Sequence, residues 1–338
     1  MTKSKRRLVT FIIILLSVAL LWGVIALLPR QKAYKYDNPF MAKDGVPLAF
    51  AHRGGADEFP ENTLEAYYNA ISLDPDIILE TDVRLTKDGV LILLHDGTLD
   101  STCNVQGNIA DWNYTDLISQ RIDFSYDNDT ENGILVGELE KYTDDYGNEK
   151  KPTDVNYPVG VTARDEEIFL VTTFEELLTA FPDSRISVEI KDEERGVETL
   201  HELIRVIDRY DAFDRVLVAS FISEVTGECK KMIKRGDAPE NLLYTVSFPS
   251  SIVFCVLEFF GLDALYMPSG VAIHFPTDEF GYNLATERII KAAHRHNLAI
   301  HYWTIDDRDE MEMLIDVGAD GIMSDEPTEL VEVIAEYK

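Results

Sequence analysis

The chain has 338 residues, 46% of them hydrophobic and 27% charged, a balance that suits a globular protein with a sizeable core. Its net charge of −30 understates how acidic the body is: the first 32 residues carry six basic and no acidic residues, leaving 25 basic against 61 acidic in the remainder. Such a surface repels polyanions and makes nucleic acid a poor partner, although solubility alone also accounts for it.

Residues 1–7 form a basic tail with Lys3, Lys5, Arg6 and Arg7. Residues 8–28 contain no charge. As a helix this run spans about 30 Å, the thickness of a bilayer's hydrocarbon core. The basic flank predicts a cytoplasmic N-terminus and a body outside the cell membrane. A cleaved signal peptide is the rival, but its apolar region is normally about 7–15 residues, followed by a small-residue cleavage site. Here Leu27-Leu28-Pro29-Arg30 offers none. A buried core helix fits less well, because the run is apolar on every face. The expected unit is therefore a single transmembrane anchor over 8–28, followed by a polar tether over 29–46.

From residue 47 onward, short apolar runs alternate with helix-like segments, the signature of an α/β fold with parallel strands. Strands are expected at 48–52, 77–84, 186–190, 216–220, 242–246, 264–267, 298–304 and 321–324, the number needed for a TIM (β/α)8 barrel. A further strand at 90–95 is separated from the second by only Thr86-Lys87-Asp88-Gly89, which makes a hairpin. A turn centred on Lys87-Asp88 sets Glu80 opposite His95 and Asp82 opposite Leu93. Residues 118–169 are rich in Asp, Asn, Tyr and Gly. They read as an insertion on the loop face of the barrel, either a cap over the site or a solvated loop. Residues 250–261 hold seven large or branched apolar side chains and one charge, Glu258. They read as a buried barrel helix or, more sharply, as a helix apposed to a membrane. The cysteines, Cys103, Cys229 and Cys255, are too few and too scattered for a disulfide framework or a metal knuckle.

The residues that carry chemistry fall at the ends of these strands. His52-Arg53-Gly54-Gly55 combines an imidazole able to move protons near neutral pH, a guanidinium able to grip phosphate, and glycines that permit a tight turn. Pro60-Glu61-Asn62-Thr63 starts a helix, and Glu61 is a candidate for holding the first loop. Glu80 and Asp82, two apart on a strand, share a face; two carboxylates in one barrel mouth repel unless a cation lies between them. Oxygen-only ligands favour Mg²⁺ or Ca²⁺ over zinc. Glu189 and Lys191 share a face on the next strand, as a third metal ligand and a phosphate contact. His52 and His95 form a candidate acid–base pair. Trp303 and Phe221, at strand ends, are candidates for shaping the pocket of the alcohol group. The other histidines (His201, His274, His294, His296 and His301) lack comparable partners.

Taken in order, His52-Arg53-Gly54, Pro60-Glu61-Asn62-Thr63, Glu80-x-Asp82, Thr86-Lys87-Asp88-Gly89 and His95-Asp96 resemble the glycerophosphodiester phosphodiesterase family. The resemblance runs on through Thr172-Thr173-Phe174-Glu175-Glu176-Leu177, Glu189-Ile190-Lys191, Ala219-Ser220-Phe221, Trp303-Thr304 and Gly318-Ala319-Asp320-Gly321-Ile322-Met323-Ser324-Asp325, covering most of residues 47–338. It implies a TIM barrel that hydrolyses glycerophosphodiesters to an alcohol and glycerol 3-phosphate. It also implies one divalent cation on Glu80, Asp82 and Glu189, paired histidines at His52 and His95, and phosphate contacts at Arg53 and Lys191. Ser101 stands where the family often has a basic residue, and the 118–169 insertion is longer than usual. Alternatives are a phosphodiesterase for lysophospholipids or an envelope glycerophosphate polymer, and a non-catalytic anchored binding protein. The sequence sets no oligomeric state.

Overall fold

The computed structural model describes every residue except Met1, Ala33 and Phe280. Its centre is a parallel barrel. The strands are β1 (Leu48–Ala51), β2 (Ile78–Leu85), β3 (Leu91–Leu93), β4 (Ile186–Ile190), β5 (Val216–Ala219), β6 (Leu243–Tyr244), β7 (Ala272–Phe275), β8 (Ala299–Tyr302) and β9 (Gly321–Ser324). All but β3 form the wall, paired in the order β6-β5-β4-β2-β1-β9-β8-β7. A single parallel bridge from Thr245, just past β6, to Ala272 on β7 joins the two ends of this order and closes the ring. A helix follows each wall strand: α2 (Leu64–Leu73), α3 (Phe174–Ala180), α4 (Gly196–Arg209), α5 (Ser223–Arg235), α6 (Phe248–Phe259), α7 (Glu287–Arg295), α8 (Arg308–Val317) and α9 (Pro327–Ala335). The chain thus forms the TIM-type (β/α)8 barrel its sequence predicts. Ahead of it lies α1 (Lys3–Ala26), long and apolar enough to cross a membrane and unburied.

Local chemistry sets the helix ends. Thr63 caps α2, Asp307 caps α8, and Thr173 with Glu176 forms a reciprocal capping box on α3, satisfying N–H groups that a helix start leaves unpaired. Alternation along the strands divides the core into two shells. Ala49, Ala51, Leu79, Val188, Val218 and Ile322 face out and pack under the helices. Phe50, Ile78, Leu217, Leu243, Ala272, Ala299 and Met323 face in and fill the barrel. Gly321 belongs to this inner layer because a Cβ there would lie 2.5 Å from the Phe50 ring.

Three expectations are corrected. Residues 264–267 are not a strand: Asp263–Leu265 is a turn of 3-10 helix that closes α6, and Tyr266 packs against Phe254 and His296. The sixth wall strand is β7, where small Ala272 takes the inward position. The hairpin register is one residue longer than expected, pairing Val83 with Leu93 and Leu85 with Leu91. The loop includes Val90, whose carbonyl accepts from Thr86 N–H, so Asp82 bonds Leu94 and Glu80 does not face His95. Residues 31–46 are not a free tether. Phe40 is fully buried against the barrel floor beside Phe50 and His301, and Asn38 donates to Val271 O at 2.7 Å. An open barrel end exposes apolar side chains, and Tyr34, Phe40 and Met41 cover them.

Between β3 and α3 the chain builds a lobe with its own core of Leu94, Leu99, Cys103, Ile109, Leu117, Ile122, Phe124 and Phe169. It begins well before residue 118. Arg164 ties it to the barrel, donating to Glu65, to the carbonyls of Leu170 and Val171 and to Thr172.

Candidate active site

Strand register brings the acidic residues together. Glu80 and Asp82 share the inward parity of Ile78, and Asp82 pairs directly with Glu189 on β4. One oxygen from each of Glu80, Asp82 and Glu189 lies within 4.8 Å of the others, at the C-terminal mouth of the barrel. Burial and the charge of Asp82 push Glu80 up to about 7. Burial also raises Glu189, against the pull of Lys191. Asp82 is equally buried, yet Lys191 and Arg53 hold it below the usual carboxylate range. Buried oxygens that repel one another this closely suit a hard divalent cation.

Basic groups border the carboxylates. Lys191 Nζ lies 3.0 Å from Glu189 and 3.5 Å from Asp82. Arg53 donates to Glu61 at 2.6 Å, and its buried Nε sits 3.4 Å from Asp82 without a hydrogen-bond partner. The backbone N–H of Arg53 donates to Glu80 at 3.0 Å. This requires a tight turn: Arg53 and Asn62 take positive φ of 50° and 56°. Gly54 lets the turn press on α2, where a Cβ would come within 2.7 Å of Ala66. Asn62 then stitches the site, donating to Asp82 and accepting from Thr81, Tyr67 and Asp82 N–H.

Each histidine is oriented by a carboxylate. His52 Nδ1 lies 2.7 Å from Asp325, leaving Nε2 toward Glu80 at 4.0 Å. Burial opposes the imidazolium, but the Asp325 hydrogen bond and Glu80 outweigh it and raise His52 to about 9. His95 Nδ1 lies 2.8 Å from Asp96, and its carbonyl accepts from Arg84. Phe221 and Trp303 meet with ring centroids 5.7 Å apart, Phe221 lying partly open to solvent. Phe221, Glu189 and Phe248 line one small cleft. The structure therefore gathers Glu80, Asp82, Glu189, Arg53, Lys191, Glu61 and His52 at one mouth, with His95 at the end of the hairpin and the aromatic pair reaching the site where Phe221 shares its cleft with Glu189.

Sequence reasoning placed Asp325 and Asp96 in motifs but gave neither its role of orienting a histidine. Asp325 directly follows β9, and a carboxylate at the C-terminal end of a barrel strand was the available signal. Of the remaining histidines, His294 bonds Asp320, His296 bonds Gln31 O and His301 bonds Phe40 O, all structural contacts. Two more acidic clusters, Asp57 with Asp306 and Asp325, and Asp57 with Asp145 and Glu326, lie beside the His52 partner.

A carboxylate, imidazole and guanidinium set at the mouth of a TIM barrel is the equipment of a hydrolase acting on phosphate esters. Residues 52–329 match the glycerophosphoryl diester phosphodiesterase family, and the chain belongs to it. It is 28% identical over 291 residues to a glycerophosphodiester phosphodiesterase of Caldanaerobacter subterraneus, covering 85% of this chain and 97% of that one. It is 26% identical over 296 residues to a lysophospholipase D of Homo sapiens, covering 83% and 82%. Among solved structures, it resembles an Oleispira antarctica phosphodiesterase in complex with the product sn-glycerol-3-phosphate, with a TM-score of 0.59 and 19% identity over 86% of this chain and 97% of that one.

Proposed function

We propose that this chain hydrolyses glycerophosphodiesters to an alcohol and glycerol 3-phosphate, with Glu80, Asp82 and Glu189 holding one Mg²⁺ or Ca²⁺. The observation that carries the reading is the inward carboxylate triad flanked by Arg53 and Lys191. A cation there would offset charge on the non-bridging phosphate oxygens. Arg53 and Lys191 grip those oxygens and release their present carboxylate partners in doing so. His52, held by Asp325, and His95, held by Asp96, present Nε2 to the reacting oxygens. One protonates the leaving alkoxide as the P–O bond breaks, and the other takes the proton of the attacking oxygen. That oxygen belongs to water or to the neighbouring glycerol hydroxyl, which gives a cyclic diester first. Phe221 and Trp303 wall the side that receives the alcohol.

The test uses the full chain in detergent micelles with glycerophosphocholine as substrate. Release of glycerol 3-phosphate that stops in EDTA and returns with Mg²⁺ or Ca²⁺ supports the reading. Undiminished release in EDTA overturns the metal assignment, and no release with any cation overturns the activity.

In the same reading, α1 is an uncleaved anchor with a cytoplasmic N-terminus and the barrel outside. Its last turn is built into the fold: Trp22 Nε1 donates to Phe260 O at 2.9 Å, and Arg30 just beyond it makes two 3.0 Å bonds to Asp263. A processed protein lacking α1 in the membrane fraction would refute this. A lysophospholipid is the second substrate reading, favoured by the aromatic cleft beside an apolar helix and consistent with the lysophospholipase D relative.

A further inference from the structure

We infer that the outer face of α6 lies in the surface of the same bilayer that α1 enters, and so holds the barrel mouth against the lipid. This rests on α1 being a membrane anchor. The expectation of a buried barrel helix over 250–261 is only half met. Ser251, Phe254 and Glu258 turn inward, at the spacing of one helical face. Phe248, Ile252, Val253, Val256, Phe259 and Phe260 are each more than two-fifths exposed. Positions 248, 252, 256 and 259 recur every three or four residues, so these side chains make a continuous stripe. The only charge on the helix, Glu258, is buried and paired with Arg288. Leu265 and Met267, just beyond, extend the apolar surface.

An apolar stripe of this size on an otherwise strongly acidic body needs a partner. Position identifies it. Trp22, in the last turn of α1, is hydrogen-bonded to Phe260 at the C-terminal end of the stripe, so the stripe begins where the apolar helix meets the barrel. Arg30, Arg288, Lys291 and Arg295 line the same junction; Arg288, Lys291 and Arg295 are paired there with Glu258, Glu287 and Asp263, so the acidic charge of the body is neutralised where the lipid surface would lie. The helix has 12 residues, about 18 Å at the α-helical rise, too short to cross a bilayer. It therefore lies along the surface. Its N-terminal Phe248 lines the cleft shared with Glu189 and Phe221, so the seat extends from the anchor to the catalytic mouth. A diester carrying an acyl chain then reaches the site without leaving the interface.

The test places a bimane label on the full chain in phosphatidylcholine–phosphatidylglycerol nanodiscs containing doxyl-labelled lipid. Cys255→Ser removes the one half-buried native thiol; Cys103 and Cys229 are buried. Labels are compared at Leu15→Cys in α1, at Ile252→Cys, and at Ser72→Cys on α2, across the barrel from α6. Strong quenching at 15 and 252, several-fold above that at 72, supports the inference. Quenching at 15 but not at 252 overturns it and leaves the anchor standing. No quenching at 15 or 252 overturns both. Disulfide cross-linking between two Ile252→Cys chains without quenching would assign the stripe to a second copy instead, and equally overturns the inference.

Discussion

Neutralising Glu80 without changing its shape, by Glu80→Gln, is expected to stabilise the metal-free protein above neutral pH and abolish its response to a divalent cation. Glu80 is buried, with an oxygen within 4.8 Å of Asp82 and Glu189. Two unit charges at such a distance repel by roughly 3 kcal/mol at an effective dielectric of about 20. Burial and Asp82 hold Glu80 near 7, against an ordinary 4.5. The folded chain therefore binds this proton more tightly than the unfolded one. The stability Glu80 contributes is complete below the ordinary value and is lost as pH rises through 7. Such a difference corresponds to about 3 kcal/mol, and the linked titration of Asp82 and His52 sets the expected gain at about 1–3 kcal/mol near pH 8. Near pH 4.5, where the folded chain holds this proton, the gap nearly closes. Glutamine keeps an acceptor for Arg53 N–H, so the turn is preserved. Urea unfolding in EDTA at the two pH values measures the gap, and repeating it with Mg²⁺ or Ca²⁺ measures the linkage. Coincident curves near pH 8, or equal stabilisation of both proteins by the cation, would refute the carboxylate-triad argument.

His52→Asn and His95→Asn are each expected to lower turnover of glycerophosphocholine by about 10²–10⁴-fold while leaving the folded chain responsive to the cation, and near-normal turnover in either would remove that residue from the mechanism. Arg164→Met strands the buried Glu65 carboxylate and should cost about 3–5 kcal/mol in urea unfolding. An unchanged midpoint would mean that Arg164 does not tie the lobe to the barrel. Phe40→Ala should cost about 3–5 kcal/mol as well, because Phe40 is fully buried in the floor, whereas a residue in a free tether would cost nothing measurable.

What the sequence made legible follows from what is local. The parity of Glu80 and Asp82 on one strand, and of Glu189 and Lys191 on another, is a property of extended backbone. That Asp82 pairs with Glu189 depends on the offset between β2 and β4, which packing sets. The motif order supplied it only through the family resemblance. The hairpin slipped by one residue because Thr86 spends its N–H and hydroxyl on Val90, a choice that spacing alone does not announce. The false strand at 264–267 shows the limit of reading short apolar runs. Ala264-Leu265-Tyr266-Met267 has the composition of a strand, but Tyr266 is needed beneath α6, and the chain turns there to let Arg30 and Arg295 meet Asp263.

The same long-range logic explains why Asp325 was given no role while His52 was. They are 273 residues apart in sequence, and only closure of β9 against β1, with Ala51 beside Ser324, brings them within 2.7 Å. A barrel makes its first and last strands neighbours. The carboxylate that orients a histidine after the first strand is therefore best sought after the last one, and the two must be tested together. If Asp325 acts by holding His52, Asp325→Asn should shift the pH profile of turnover and add little to the loss already caused by His52→Asn, since residues acting as a unit are not additive. Full additivity of the two would mean that Asp325 serves the neighbouring acidic cluster and not the imidazole.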